Sequence, residues 1–463
     1  MSTTVAETSA FPPRAYWYTL VVVLAYELAC GIDLGQVSVL VKPIEQTYGI
    51  DDTQFAAIAV SSVFLGGVFI YYVGGILADT YNRRNLILAS GVLWTLTALA
   101  VVLAAHPWQL FAVRFVNGFA MSIGGASIFH ILVDSFSRDR RTIAISLFGI
   151  GVSIGTGAGL ALCGYNLQLA ERIGPHVVPL IGLVHPWQLC YVTIAGLGAV
   201  VCALLLTIGE PTRLESRAVS GTRTVVASLR TFAWYMRRHG RLWVIFMVAS
   251  SLFTALTYAI LNWQPTFANR VYHVPIVAAA ALVGTLQAVT SVAGRLMGGS
   301  LAQMLVNRKR GEMLSRLFVY FPAAAIAFVL AFPLVPSYAA SAALMAVAML
   351  LTGVIAALQV NAIQDTTPNE VRGQIVGLYR FFDFISVLIG TVGVAAVSDR
   401  FFHGGATGLR MSLALVGTAC TIAAAVGFVF CVGPYVRAQR DVNAPLDGAQ
   451  VERPARCDAT VAV

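Results

Sequence analysis

Apolar residues run along this chain in twelve long blocks, separated by short stretches rich in Arg, Asp, Asn, Gly and Pro. The blocks cover roughly residues 16–40, 55–78, 85–105, 110–134, 143–166, 187–209, 242–268, 277–301, 314–335, 339–362, 375–398 and 411–433. A helix needs about 20 apolar residues to cross a bilayer, and every block reaches that length. The pattern predicts an all-α membrane protein with twelve transmembrane helices. Most polar stretches are too short to fold alone, so consecutive helices are expected as antiparallel neighbours. The longest break, 210–241, follows the sixth block and carries seven arginines. The expected organisation is a tail (1–15), a six-helix bundle (16–209), a linker (210–241), a second six-helix bundle (242–433) and a tail (434–463). Within the linker, Val225 to Met236 reads as a surface helix with Leu229, Phe232 and Trp234 dipping into the membrane interface.

The two halves repeat one plan. Gly74-Gly75-Ile76-Leu77-Ala78-Asp79, followed by Arg83 and Arg84, returns as Gly298-Gly299-Ser300-Leu301-Ala302-Gln303, followed by Arg308, Lys309 and Arg310, 224 residues later. Asp134 to Arg141 and Asp365 to Arg372 each span seven residues and lie 231 apart. Halves of this kind make the bundles pseudo-symmetric, and many secondary transporters bind substrate between such repeats. His106-Pro107-Trp108-Gln109-Leu110 recurs as His185-Pro186-Trp187-Gln188-Leu189 and starts two helices, with Pro in the first turn and Trp at the interface.

Composition supports lipid as the solvent. Charged residues are 11% of the chain, hydrophobic ones 58%, and the mean hydropathy is +0.78, against about 25% charged in soluble domains. The net charge of +9 is then a topology signal, and nucleic acid is not an expected partner. With the N-terminus inside, twenty-one basic residues fall on the cytoplasmic side and five on the other. That asymmetry places both termini and the linker in the cytoplasm, in a cell membrane such as a bacterial inner membrane. The first residues lack a secretory cleavage pattern. Seven cysteines, six of them in apolar blocks, show no disulfide or metal spacing.

Charges inside spans mark functional candidates. Asp33 lies deep in the first span, and Arg114 lies near the outer end of the fourth; as neighbours they would relieve each other's desolvation and form an ion-coupling switch. Glu27, six residues before Asp33, is a second proton candidate on another helix face. Arg380 and Asp383 are three apart on one face and are candidates for the substrate path. Tyr258, Asn262 and Gln264 form a polar cluster with Trp263 in the seventh span and are candidate substrate contacts. Gly151, Gly155, Gly157 and Gly159 allow close helix packing in the fifth.

These residues resemble the major facilitator superfamily. Gly75 to Arg84 is similar to its signature loop between helices two and three, with Gly75, Asp79, Arg83 and Arg84 as the conformational-switch residues. Arg114-x-x-x-Gly118 is similar to its helix-four arginine signature. Within the superfamily the chain most resembles the spinster-like group, through Asp33 with Ile44-Glu45-Gln46, Gly75-x-Leu77-x-Asp79-x-Tyr81-Asn82-Arg83 and Asp134-x-Phe136-x-x-Asp139-x-Arg141. The resemblance implies that superfamily's fold and proton-coupled movement of lysolipids, sphingoid lipids or other amphiphiles. Leu34 stands where the group has Arg, and Met121, a candidate substrate contact, stands where it has a Glu implicated in coupling. Thr156 replaces the Pro of the antiporter signature, so symport and antiport both remain open.

The expected activity is alternating-access transport of a small organic or amphiphilic solute by a monomer, with the bilayer as its other partner. A proton-linked organic-anion symporter, with Arg114 or Arg380 as counter-charge, is the alternative, and a transporter-like receptor a third. No cofactor, metal or enzymatic chemistry is expected, and no nucleotide loop occurs.

Overall fold

The computed structural model describes residues 13–136, 138–178, 182–209, 222–308 and 312–443. The expected tail segments 1–12 and 444–463 and the linker segment 210–221 lie outside the described residues. Among the described residues, twelve helices are long and apolar enough to cross a membrane. In chain order they are α1 (Ala15–Val39), α2 (Asp52–Ile70), α3 (Arg83–Leu103), α4 (Pro107–Leu132), α5 (Ile150–Arg172) and α6 (Pro186–Leu205). The second half holds α7 (Arg230–Tyr272), α8 (Ile276–Leu305), α9 (Glu312–Ala331), α10 (Tyr338–Thr366), α11 (Gln374–Phe402) and α12 (Gly405–Val442).

The halves pack on one plan. α1 lies on α5 as α7 lies on α11, α2 on α4 as α8 on α10, and α3 on α6 as α9 on α12. One element departs from the all-helical expectation. Between α5 and α6, β1 (His176–Val178) and β2 (Gly182–Val184) form an antiparallel hairpin, with His176 opposite Val184.

Local chemistry explains the helix starts. Pro107 and Pro186 open α4 and α6, where the missing N–H costs nothing. Gln109 and Gln188 reach back to accept from the backbone N–H of His106 at 3.0 Å and of His185 at 2.7 Å. The two copies then diverge. Trp108 is exposed as an interface residue would be, whereas Trp187 is buried and donates to Thr47 at 2.9 Å. The helix of α7 begins at Thr222, so the surface helix expected over Val225 to Met236 is continuous with the span. No proline interrupts the sequence between 222 and Pro265, and the helix has no reason to stop.

Loops alternate between two faces. At the face where α6 ends and α7 begins, the linker face, Arg84 of α3 reaches the Leu206 carbonyl and Arg238 of α7 meets Asp441 near the end of α12; the opposite face holds the start of α2 beside the ends of α7 and α11. The halves meet along α5 and α8, where glycines bring the backbones together. A Cβ on Gly157 would sit 2.3 Å from the Gly284 carbonyl oxygen, and one on Gly284 would sit 2.2 Å from that of Gly157. They also meet toward the opposite face, where Val37–Val39 packs on α7 and α2 on α11.

Candidate functional site

Asp33 is fully buried and its carboxylate accepts four hydrogen bonds. Arg114 Nη1 at 2.8 Å and Gln36 Nε2 at 3.2 Å donate to Oδ1. Trp94 Nε1 at 3.0 Å and Asn117 Nδ2 at 3.2 Å donate to Oδ2. The Arg114 guanidinium, itself buried, also donates from Nε to the Ala59 carbonyl at 3.2 Å and lies over the Tyr191 ring at 5.8 Å. The sequence-expected pair is therefore present. Each oxygen thus has two donors on it. Sequence reasoning missed Asn117 and Trp94. Asn117 follows Arg114 by three and so shares its face, a readable signal. Trp94 reaches Asp33 from α3, which nothing local announces.

A second cluster, also missed, closes the opposite face between the halves. Arg270, at the end of α7, donates to Asp52 at 2.5 and 2.8 Å and to Glu45, on the short helix Val41–Tyr48, at 3.3 Å. Asp399, near the end of α11, accepts from the Thr53 N–H at 3.1 Å and its hydroxyl at 2.6 Å. Three carboxylates thus gather around one guanidinium. Glu45 is pushed up to about 9 by burial and by the adjacent Asp52 carboxylate, with Arg270 opposing. Its Oε1 is buried with no partner among the described atoms.

The remaining candidates gather near the middle of the fold. Tyr258 on α7 donates to both oxygens of Asp383 at 3.4 Å, and Arg380 lies 3.8 Å from the same carboxylate. Tyr258 also meets Phe64 of the first half edge-on, with ring centroids 5.3 Å apart. Glu27 is 7% exposed, and the charge that acts on it is Arg380, from the other half. Arg380 therefore acts on Glu27 of the first half as well as on Asp383 of its own. Asn262 and Gln264 do not join them. Asn262 donates to the Tyr258 carbonyl and to Thr391 Oγ1, and Gln264 is fully buried with neither amide atom partnered among the described residues. Met121 packs on the apolar core of the first half.

Of the switch loop, Arg83 is buried, and Arg84 donates to the Leu206 carbonyl at 2.6 Å. Of Gly75 and Asp79 only the helical backbone is described.

The Major Facilitator Superfamily profile matches residues 23–391. "Probable anion transporter 2, chloroplastic" of Oryza sativa subsp. japonica is 27% identical over 415 residues, covering 84% of this chain and 71% of that protein. "Protein spinster homolog 3" of Danio rerio is 26% identical over 233 residues, 49% of this chain and 41% of the relative. Among solved structures, a bacterial homolog to the human lysosomal transporter Spinster, inward-facing and unoccupied, superposes with a TM-score of 0.73 at 19% identity, covering 93% of this chain and 98% of that one.

Proposed function

The chain belongs to the major facilitator superfamily, and from that premise we propose that it is a proton-coupled carrier of an amphiphilic organic solute with a charged headgroup. The observation that carries this reading is the mixed-charge site between the bundles. Glu27, Arg380 and Asp383 supply both signs of charge, and Tyr258, Tyr379 and Phe64 supply aromatic surface. Such a lining suits a molecule with an ionic end and an apolar body.

The linker face is cytoplasmic in this reading, because basic residues crowd it. The Arg270–Asp52–Glu45 and Thr53–Asp399 contacts then shut the outside, and the structure is the inward-facing state. Asp33 is the coupling group. Four donors fill its oxygens in this state, and moving Arg114 away in another state would free a lone pair on Oδ1 for the transported proton. Glu27 is a second proton candidate. Asp79, with the neighbouring Arg83 and Arg84, forms the switch loop on the inner face.

Two observations favour an organic-anion symporter as the second reading. Arg380 is half exposed and so accessible to an anion, and a relative covering most of the chain carries an anion-transporter name. Uptake into proteoliposomes separates the readings. A panel of lysolipids, organic acids and sugars is offered with and without a pH gradient. Gradient-driven uptake of lysolipids supports the first, and of organic acids alone the second. Uptake of sugars alone, or no response to pH, refutes both.

A further inference from the structure

Two membrane helices are locally unwound into π-turns, at Ala56–Ser61 in α2 and at Leu388–Gly393 in α11. π-turns are rare and concentrate where function needs a displaced register. These two pack directly on each other across the boundary between the halves. They are not a product of the internal repeat. The repeat equates α2 with α8 and α5 with α11, yet α5 and α8 lie within uninterrupted α-helices and meet through Gly157 and Gly284 instead.

Each π-turn gives a backbone carbonyl to a buried side-chain donor of its own half. The Ala59 carbonyl accepts from Arg114 Nε at 3.2 Å, and the Thr391 carbonyl accepts from Trp263 Nε1 at 3.0 Å. Trp263 is fully buried, and its ring meets Phe55 of the other half edge-on, with centroids 6.4 Å apart. Each turn also sits between two functional layers. In α2 it separates Asp52 and Thr53, at the outer closure, from Phe64, which touches Tyr258. In α11 it separates Tyr379, Arg380 and Asp383 from Asp399.

We propose that Trp263 and Arg114 are matched positioning residues for transport, each pinning one π-turn by its carbonyl so that the two turns close the outer gate. The proposal rests on the alternating-access reading above and adds the element that links its two layers. A π-turn holds one residue more than the α-turn it replaces, so relaxing it rotates one side of the helix against the other by about 100°. Such a rotation in α11 would turn Asp399 relative to Asp383. The Thr391 carbonyl also accepts from the Val394 N–H, so removing the indole donor leaves it paired within its own helix but no longer tied to α7, and the turn is freer to relax. On the α2 side the same guanidinium holds Asp33, so the state of that carboxylate reaches the gate through one side chain.

The test reads gate opening directly. Val60, in the α2 π-turn and buried, is changed to cysteine in a cysteine-free background, and its reaction with an impermeant maleimide is timed from the outer face. Trp263→Phe keeps the ring on Phe55 and removes the N–H; labelling is expected to accelerate about tenfold, the scale of one lost hydrogen bond. Thr391→Val removes the hydroxyl that Asn262 meets but keeps the carbonyl, and is expected to label at the parent rate. If Trp263→Phe fails to accumulate, Arg114→Lys supplies the second arm: it keeps a charge opposite Asp33, loses the Nε–H on Ala59 and is expected to label faster. A lowered Tm with labelling unchanged in the variant examined means a structural role only and overturns the proposal, as does equal acceleration by Thr391→Val. The labelling needs no substrate. A protein that moves no tested solute yet shows the shift counts against the proposed substrates alone; one that transports without the shift counts against this inference alone.

Discussion

Replacing Asp33 by Asn removes one charge and almost no volume, so its effect can be worked out contact by contact. The new side chain keeps its oxygen on Arg114 and Gln36, but its amide nitrogen takes the place of Oδ2 and confronts two N–H donors, Trp94 and Asn117. Asn117 can turn, because its own Oδ1 is buried with no partner among the described atoms; turning costs its 3.1 Å bond to Thr97. Trp94 cannot turn, and its indole N–H is left unpaired, a loss of about 1–3 kcal/mol. Arg114 is left as a buried cation without its counter-charge, and breaking a buried pair from one side costs about 3–5 kcal/mol in all. The closely packed arrangement is therefore expected to lose about two to four orders of magnitude in population against states that hydrate Arg114. In proteoliposomes, Asp33→Asn is expected to abolish accumulation driven by a pH gradient, while counterflow of a transported solute partly survives, since exchange need not cycle the proton. Asp33→Asn/Arg114→Gln is expected to be more stable than Asp33→Asn alone, because no bare cation remains. Accumulation by Asp33→Asn with the pH gradient as the only driving force would refute the coupling role and pass it to Glu27 or Asp383. Additive destabilisation in the double variant would refute the charge argument.

The outer closure is expected to respond to external pH through Glu45. Its value near 9 in the closed state exceeds the ordinary value of about 4.3 that exposure restores, so the contribution to closure is full below the ordinary value and is lost as pH rises toward 9. Outer-face labelling at Val60→Cys is expected to rise from pH 5 to pH 9 in the parent and to be flatter in Glu45→Gln; equal slopes would exclude Glu45 as the titrating group. Gly157→Val is expected to force α5 off α8 and lower Tm by several degrees through overpacking against the Gly284 backbone, whereas Gly196→Ala, with open space around its Cβ, is expected to be near neutral. A cysteine at Ser220 is expected to resist an impermeant thiol reagent in intact cells; ready labelling would reverse the assigned orientation.

Hydropathy is a local, additive property, so twelve spans and the membrane class were legible from the chain alone, as was the half-chain repeat. The Asp33–Arg114 pair was legible by a different route, since two opposite charges in apolar spans have few other ways to be tolerated. Helix periodicity could place Asn117 beside Arg114, but no periodicity reaches from Asp33 to Trp94. The cluster on the face opposite the linker joins Glu45 to Arg270 across 225 positions, and each residue alone reads as an ordinary polar residue near a loop. The π-turns were less legible still. Ala56-Ala57-Ile58-Ala59-Val60-Ser61 contains nothing that breaks a helix, and Leu388-Ile389-Gly390-Thr391-Val392-Gly393 has only glycines that α-helices in membranes tolerate. Each turn has its carbonyl bonded to a side chain on a different helix, Arg114 in one half and Trp263 in the other. That bond exists only once the helices are packed, and so the register of both helices belongs to the tertiary structure.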